Sequence, residues 1–146
     1  MGYDPECDEA FARQADKALE SFLQFSATDR LTISKYVYAN CKEFLDEVGF
    51  DLHDQPLHNI KEDSEIWNFI HPKEIYVSRR DRRDRDIYIL VACECDWEKE
   101  HGLQLVFRQG KKLTRVSAQD GHLTEADADD KPDDQDALLS RFSRED

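Results

Sequence analysis

The chain has 146 residues, 33 of them acidic and 20 basic, which gives a formal charge of −13 at neutral pH. That length suits one domain with a core of its own. The acidity disfavours polyanions, so neither nucleic acid nor an anionic membrane surface is expected as a primary partner. A basic protein or a cation remains compatible with it. A mean hydropathy of −0.80 points to a solvated segment beside the core.

Residues 1–6 carry acid and no apolar run, so they do not read as a signal peptide. No apolar stretch approaches the length of a membrane span. The cysteines stand at positions 7, 41, 93 and 95 and form no Cys-x-x-Cys pair, which removes the zinc-knuckle and thioredoxin-type readings. A reduced, cytoplasmic setting is the simplest expectation.

In chain order, residues 8–25 place Phe11, Ala15, Ala18, Leu19, Phe22 and Leu23 on one helical face. The segment Ser26-Ala27-Thr28-Asp29 has the form of a capping box, a hydroxyl followed three residues later by an acid. A second helix follows, with Ile33, Val37, Cys41, Phe44, Leu45 and Val48 in its stripe and Gly49 as its C-terminal stop. Two helices joined by a short link predict an antiparallel α-hairpin. Residues 51–63 read as a polar connection.

Beyond it the period changes. Residues 65–70 and 74–78 alternate as strands do. Residues 87–95 are the strongest strand, apolar on both faces and therefore central, with Cys93 and Cys95 as small buried groups. Residues 103–108 and 111–117 flank Gln109-Gly110, which reads as a two-residue hairpin turn. The expected fold is α+β, with the α-hairpin on one face of an antiparallel meander of four or five strands. Residues 1–123 are expected to form the single domain. Residues 124–146 hold nine acids and three bases, a net −6, and read as an acidic C-terminal tail.

Two places could carry a site. The run Arg79-Arg80-Asp81-Arg82-Arg83-Asp84-Arg85-Asp86 could grip phosphates or carboxylates. Its interleaved aspartates leave only +2, and it contains no aromatic to stack a base. It reads as a solvated hairpin loop, with the acidic tail as a docking partner.

The second place follows from strand register. With a two-residue turn, Arg108 faces Lys111, His101 faces Ala118 and Glu100 faces Gln119. Asp96, Trp97, Glu100, His101, Asp120 and His122 then gather at one end of the sheet. Of these, Trp97, Glu100, His101, Asp120 and His122 are the candidate ligand or partner contacts. Two imidazoles among carboxylates also have the composition of a transition-metal site, with His101, His122 and Glu100 as its ligands, or of an acid–base pair. The short spacing of dedicated metal motifs is missing. Asp120-Gly121 and Gly102 are also ordinary turn chemistry. No catalytic residue and no cofactor is assigned, because no nucleophile elbow or phosphate-binding glycine loop occurs.

The segment from Ala92 to Gly110, continuing through Val116 to Asp120-Gly121-His122, resembles a motif of uncharacterised bacterial domains of unknown function. The motif runs strand, Trp-Asp/Glu-x-Glu-His-Gly, apolar strand, Gly turn, and is carried here by Trp97, Glu100, His101, Gly102, Phe107 and Gly110. Some domains of that kind sit near toxin-immunity genes. The resemblance implies a fold and a genomic neighbourhood, with no reaction attached. The expected function is therefore a non-enzymatic binding or immunity-like protein that engages a basic partner. The alternative is a small metal- or ligand-binding domain, hydrolytic in its boldest form, built on the His/carboxylate cluster.

Overall fold

The computed structural model describes residues 5–48, 55–80, 84, 86–98, 100–136 and 138–139, and their side chains from residue 10 onward except Ala27 and Val48. Helix α1 (Pro5–Leu23) and helix α2 (Ala27–Val48) come first, then the short α3 (Gln55–His58) and a 3-10 helix (Asp63–Phe69). Four strands follow: β1 (Ile70–Arg79), β2 (Ile87–Cys95), β3 (Leu103–Arg108) and β4 (Lys112–Ser117). They form one antiparallel meander in the order β1-β2-β3-β4. The chain ends its described part with α4 (Glu125–Asp129) and a 3-10 turn (Asp133–Gln135). The expected α+β fold is observed. No described helix is long and apolar enough to cross a membrane.

The start of α2 follows from its first residues. The Ser26 amide donates to Asp29 Oδ2 at 2.8 Å, and the Asp29 amide donates back to Ser26 Oγ at 3.2 Å. Two orphan N–H groups are thereby satisfied reciprocally. Ile33, Val37, Cys41 and Leu45, one turn apart, are buried along α2. Gly49, the expected stop, lies outside the described residues.

Helices and sheet share one core. The inward face of β2 carries Ile87, Ile89, Val91, Cys93 and Cys95 against the helices, joined by Leu103, Leu105 and Phe107 of β3. Phe22, at the end of α1, and Phe25, in the α1–α2 link, meet Phe107 at centroid distances of 5.4 and 5.1 Å. Burial pushes the Cys93 thiol up to about 12 and the Cys95 thiol up to about 11, so both stay protonated apolar groups. Tyr88, Leu90, Ala92 and Val106 form a second cluster on the opposite face, beside Leu123. Strand β2 is thus covered on both faces, as its composition predicts.

Two expectations are corrected. Residues 65–69 form a 3-10 helix rather than a strand. Its apolar residues stand at 66, 67, 69 and 70, a spacing that serves a helical turn as well as an alternating strand. The Glu65 carboxylate accepts the amides of Lys61 and Glu62 at 2.6 and 2.9 Å, which favours the helical start. Only Ile70 onward is strand, with a register shift between Pro72 and Glu74 where proline cannot donate to the ladder.

The β3–β4 turn is longer than two residues. Arg108 pairs with Lys112, and Gln109 and Gly110 both adopt positive φ, at 55° and 73°. A second shift between Val106 and Phe107 brings Gln104 opposite Ser117. The cause is tertiary. The Gln109 amide donates to Ile87 O at 2.7 Å, continuing the β2–β3 ladder by one bond. Gly110 packs so closely on α1 that a Cβ there would sit 2.1 Å from the carbonyl oxygen of Ala18.

Candidate functional site

Strand polarity places the β2–β3 connection and the turn after β4 at one end of the sheet. The Gln119 amide donates to His101 O at 3.4 Å. The Gln119 side chain donates to Cys93 O at 2.9 Å and Leu103 O at 3.4 Å, tying the two segments together. Gly102, at φ +68°, leaves room for it: a Cβ would stand 2.6 Å from Gln119 Nε2 and 2.7 Å from Cys93 O. Only glycine fits both that backbone and that approach.

Within this end, the candidate residues divide into separate groups. Asp96 pairs with His71 of β1, Nε2 to Oδ1 at 3.0 Å, not with His101. Glu98 organises its own loop. Its Oε1 accepts the amides of Glu100 and His101 at 3.2 and 3.3 Å, and its Oε2 lies 3.3 Å from His101 Nδ1. The imidazole of His101 therefore has Glu98 as its carboxylate, and Glu100 is exposed on the rim. Trp97 is buried in the main core, with Nε1 donating to Asn40 Oδ1 at 3.3 Å.

Asp120 and His122 belong to the other segment. Asp120 Oδ1 accepts from Gln104 Nε2 at 2.9 Å and from the His122 amide at 3.0 Å, and Arg115 closes on Oδ2. Burial pulls the Asp120 carboxyl up, but the bonds from Arg115 and the His122 amide outweigh it and hold it below the usual carboxylate range. Gln104, itself buried, also donates to His122 O at 2.9 Å and accepts from the Gly121 amide at 3.1 Å. Its signature in the sequence is a lone amide in the apolar run of β3. Among the described residues, no group of three or more His, Cys, Asp or Glu side chains is placed to hold a metal ion. His101, His122 and Glu100 are not brought together as such a set.

What this end does build is a cleft of about 150 Å³ between α2 and the β2–β3 loop. Asn40, Glu43, Phe44 and Glu47 line it from the helix, and Trp97, Glu98, Gly102 and Ala118 from the sheet side. Glu43 and Glu47 are exposed and have no ion-pair partner among the described residues. Their spacing of four sets them on one helical face beside Phe44. The cleft thus offers the open carboxylates of Glu43 and Glu47, with Glu98 already bonded within its loop, beside aromatic and amide groups, a combination suited to a lysine ammonium or an arginine guanidinium. The carboxylates of α2 were the part missed in the sequence. An i,i+4 glutamate pair reads as a solvated face until the fold sets it beside Trp97.

The arginine run behaves otherwise. Arg80 is fully buried rather than solvated. Its Nε and Nη2 grip Asp127 at 3.0 Å each, and its Nη1 and Nη2 reach Asp133 at 3.0 and 2.7 Å. Nη1 also bonds Asp84 at 2.8 Å, and Nη2 bonds Thr124 Oγ1 at 3.1 Å. Burial lowers the guanidinium pKa, but these carboxylates outweigh it and raise it above its ordinary value. Three of the partners, Thr124, Asp127 and Asp133, lie in the acidic extension, so its first part docks on this loop. Asp136, also buried, accepts the amides of Ala126 and Leu139 at 2.9 and 3.0 Å. Asp81, Arg82, Arg83 and Arg85 lie outside the described residues.

No curated protein and no solved structure matches the chain. Residues 1–123, which include α1 to α3 and the whole sheet, match the family described as a domain of unknown function (DUF6985), and the chain belongs to that family.

Proposed function

We propose that this is a non-enzymatic binding protein that engages a basic protein partner through the cleft between α2 and the β2–β3 loop. The observation that carries the reading is that Glu43 and Glu47, with no ion-pair partner among the described residues, line one cleft with Glu98, Trp97 and Phe44. A cationic side chain entering there exchanges its hydration for carboxylate contacts and an aromatic wall. Glu100 and His101, which follow Glu98 in its loop, and Asp120 and His122, in the turn that follows Ala118, are included in the proposed contact surface at this end of the sheet. The excess negative charge steers such a partner and raises its association rate at low salt. In its most specific form the reading is an immunity-like role in the bacterial cytoplasm, with a cationic toxin surface as the partner. That form draws on the resemblance of the Trp97–Gly102 motif.

The test is calorimetric titration of the full chain with an arginine-rich peptide, at about 20 and about 300 mM salt, a range across which surface charge is increasingly screened. Binding should weaken strongly with salt, and Glu43→Gln with Glu47→Gln should abolish most of it. Binding that is equal in the double variant, or absent at low salt, overturns the proposal.

A further inference from the structure

A second cleft, of about 270 Å³, lies at the opposite end of the sheet. Gln14, Lys17, Ala18 and Ser21 of α1 form one wall, and Asp86, Ile87, Gln109 and Lys111 form the other. In a protein of charge −13, its chemistry is inverted. Lys17 and Lys111 are exposed and have no ion-pair partner among the described residues. The only acid in the lining, Asp86, is already held by Arg108, with Nε at 2.8 Å and Nη2 at 2.7 Å from Oδ2. The remaining polar lining is a hydroxyl and two amides. Gln14 Oε1 is occupied by the Arg79 guanidinium, which leaves the amide NH₂ as its free function.

Local geometry explains how the two lysines come to share a cleft. Positions 14, 17, 18 and 21 fall on one arc of α1 at 3.6 residues per turn, with Asp16 on the opposite side. The β3–β4 turn is pressed onto that arc because Gly110 packs against Ala18. The left-handed backbone at Gln109 and Gly110 leads into Lys111, which lines the cleft together with Lys17.

We propose that this cleft is a binding site for a small phosphate-bearing anion, held by Lys17 and Lys111 with hydrogen bonds from Ser21, Gln109 and Gln14. Two ammonium groups with no ion-pair partner among the described residues match a doubly charged oxyanion better than a monovalent carboxylate, since lysine acts as a point charge. The volume lies just below the range of drug-sized pockets, which begins near roughly 300 Å³, and so favours a compact ligand. This site is independent of the acidic cleft and stands or falls separately from it.

Amide NMR titration of the full chain with inorganic phosphate tests it, with acetate and sodium chloride at matched ionic strength as the other arms. Phosphate should shift the amides of Ser21, Gln109 and Lys111 in a saturable way. Lys17→Gln with Lys111→Gln should weaken the binding at least about tenfold, the loss of roughly one charge contact per site, and leave the thermal midpoint unchanged. Lys17→Arg with Lys111→Arg should restore it. Shifts of equal size with acetate or chloride, shifts that survive the glutamine pair, or no shift in millimolar phosphate would each overturn the assignment.

Discussion

At the two ends of the sheet, the connections that flank β2 handle charge in opposite ways. Where β1 passes into β2, Arg80 is buried among Asp84, Asp127 and Asp133, and Tyr88 Oη donates to Asp84 at 2.6 Å. Every charge in that group has a partner within the molecule. Where β2 passes into β3, Glu98 bonds its own loop, whereas Glu43, Glu47 and Glu100 stay exposed. The comparison shows that an unusual local composition does not by itself mark a site. The arginine run is the most distinctive sequence in the chain, and its described core is structural. The plainer glutamates of α2 are the ones left available to a partner.

The largest expected effect tests the first end. Arg80→Met should lower unfolding free energy by about 3–5 kcal/mol in denaturant titration, because it leaves three neighbouring carboxylates facing one another without their cation. A loss below about 1 kcal/mol would place Arg80 with ordinary surface pairs. Truncation after Leu123 removes Thr124, Asp127 and Asp133 together and should cost a similar amount. A truncated chain as stable as the full one would make the extension an appendage of a domain complete at residue 123.

Next in size is Gly110→Ala. It forces a side chain into a left-handed backbone and onto the Ala18 carbonyl, and should cost about 1–3 kcal/mol. The same variant should disturb the lysine cleft without changing peptide binding at the other end.

Acid tests the Arg80 group by titration. Burial raises the Asp84 carboxyl, but hydrogen bonds from Tyr88, the Asp86 amide and Arg80 hold it below its ordinary 3.8. A carboxyl depressed in the folded state contributes stability above its unfolded pKa and loses it as pH falls through the folded value. Stability should therefore be nearly flat above about pH 5 and decline below about pH 4. Asp84→Asn should flatten that decline. The smallest effect on folding is expected for Glu43→Gln with Glu47→Gln, within about 0.5 kcal/mol. That variant sharpens the comparison, since its loss should appear in partner binding alone.

Much of the fold was legible in the residues. The Ser26–Asp29 box starts α2 because both halves of the interaction lie within one turn. The apolar stripes of the helices and the two-faced composition of β2 follow from periodicities of 3.6 and 2 residues, which burial enforces. The loop of Trp97 to Gly102 was recognisable as a place where segments meet, although its register was shifted and the carboxylate that holds His101 proved to be Glu98 rather than Glu100. Residues 65–69 were misread because their apolar spacing serves two periods equally.

By itself, the sequence determined the α+β class, the order of elements, the sides of β2 and the capping of α2, since each rests on contacts a few residues apart. Tertiary structure decided the three-residue turn at Gly110, the burial of Arg80 by residues 44 to 53 positions away, and the meeting of Glu43 and Glu47 with Trp97. Those depend on which surfaces pack together. Whether a charge is buried, paired or left for a partner is set by neighbours far along the chain, and local pattern carries no record of them.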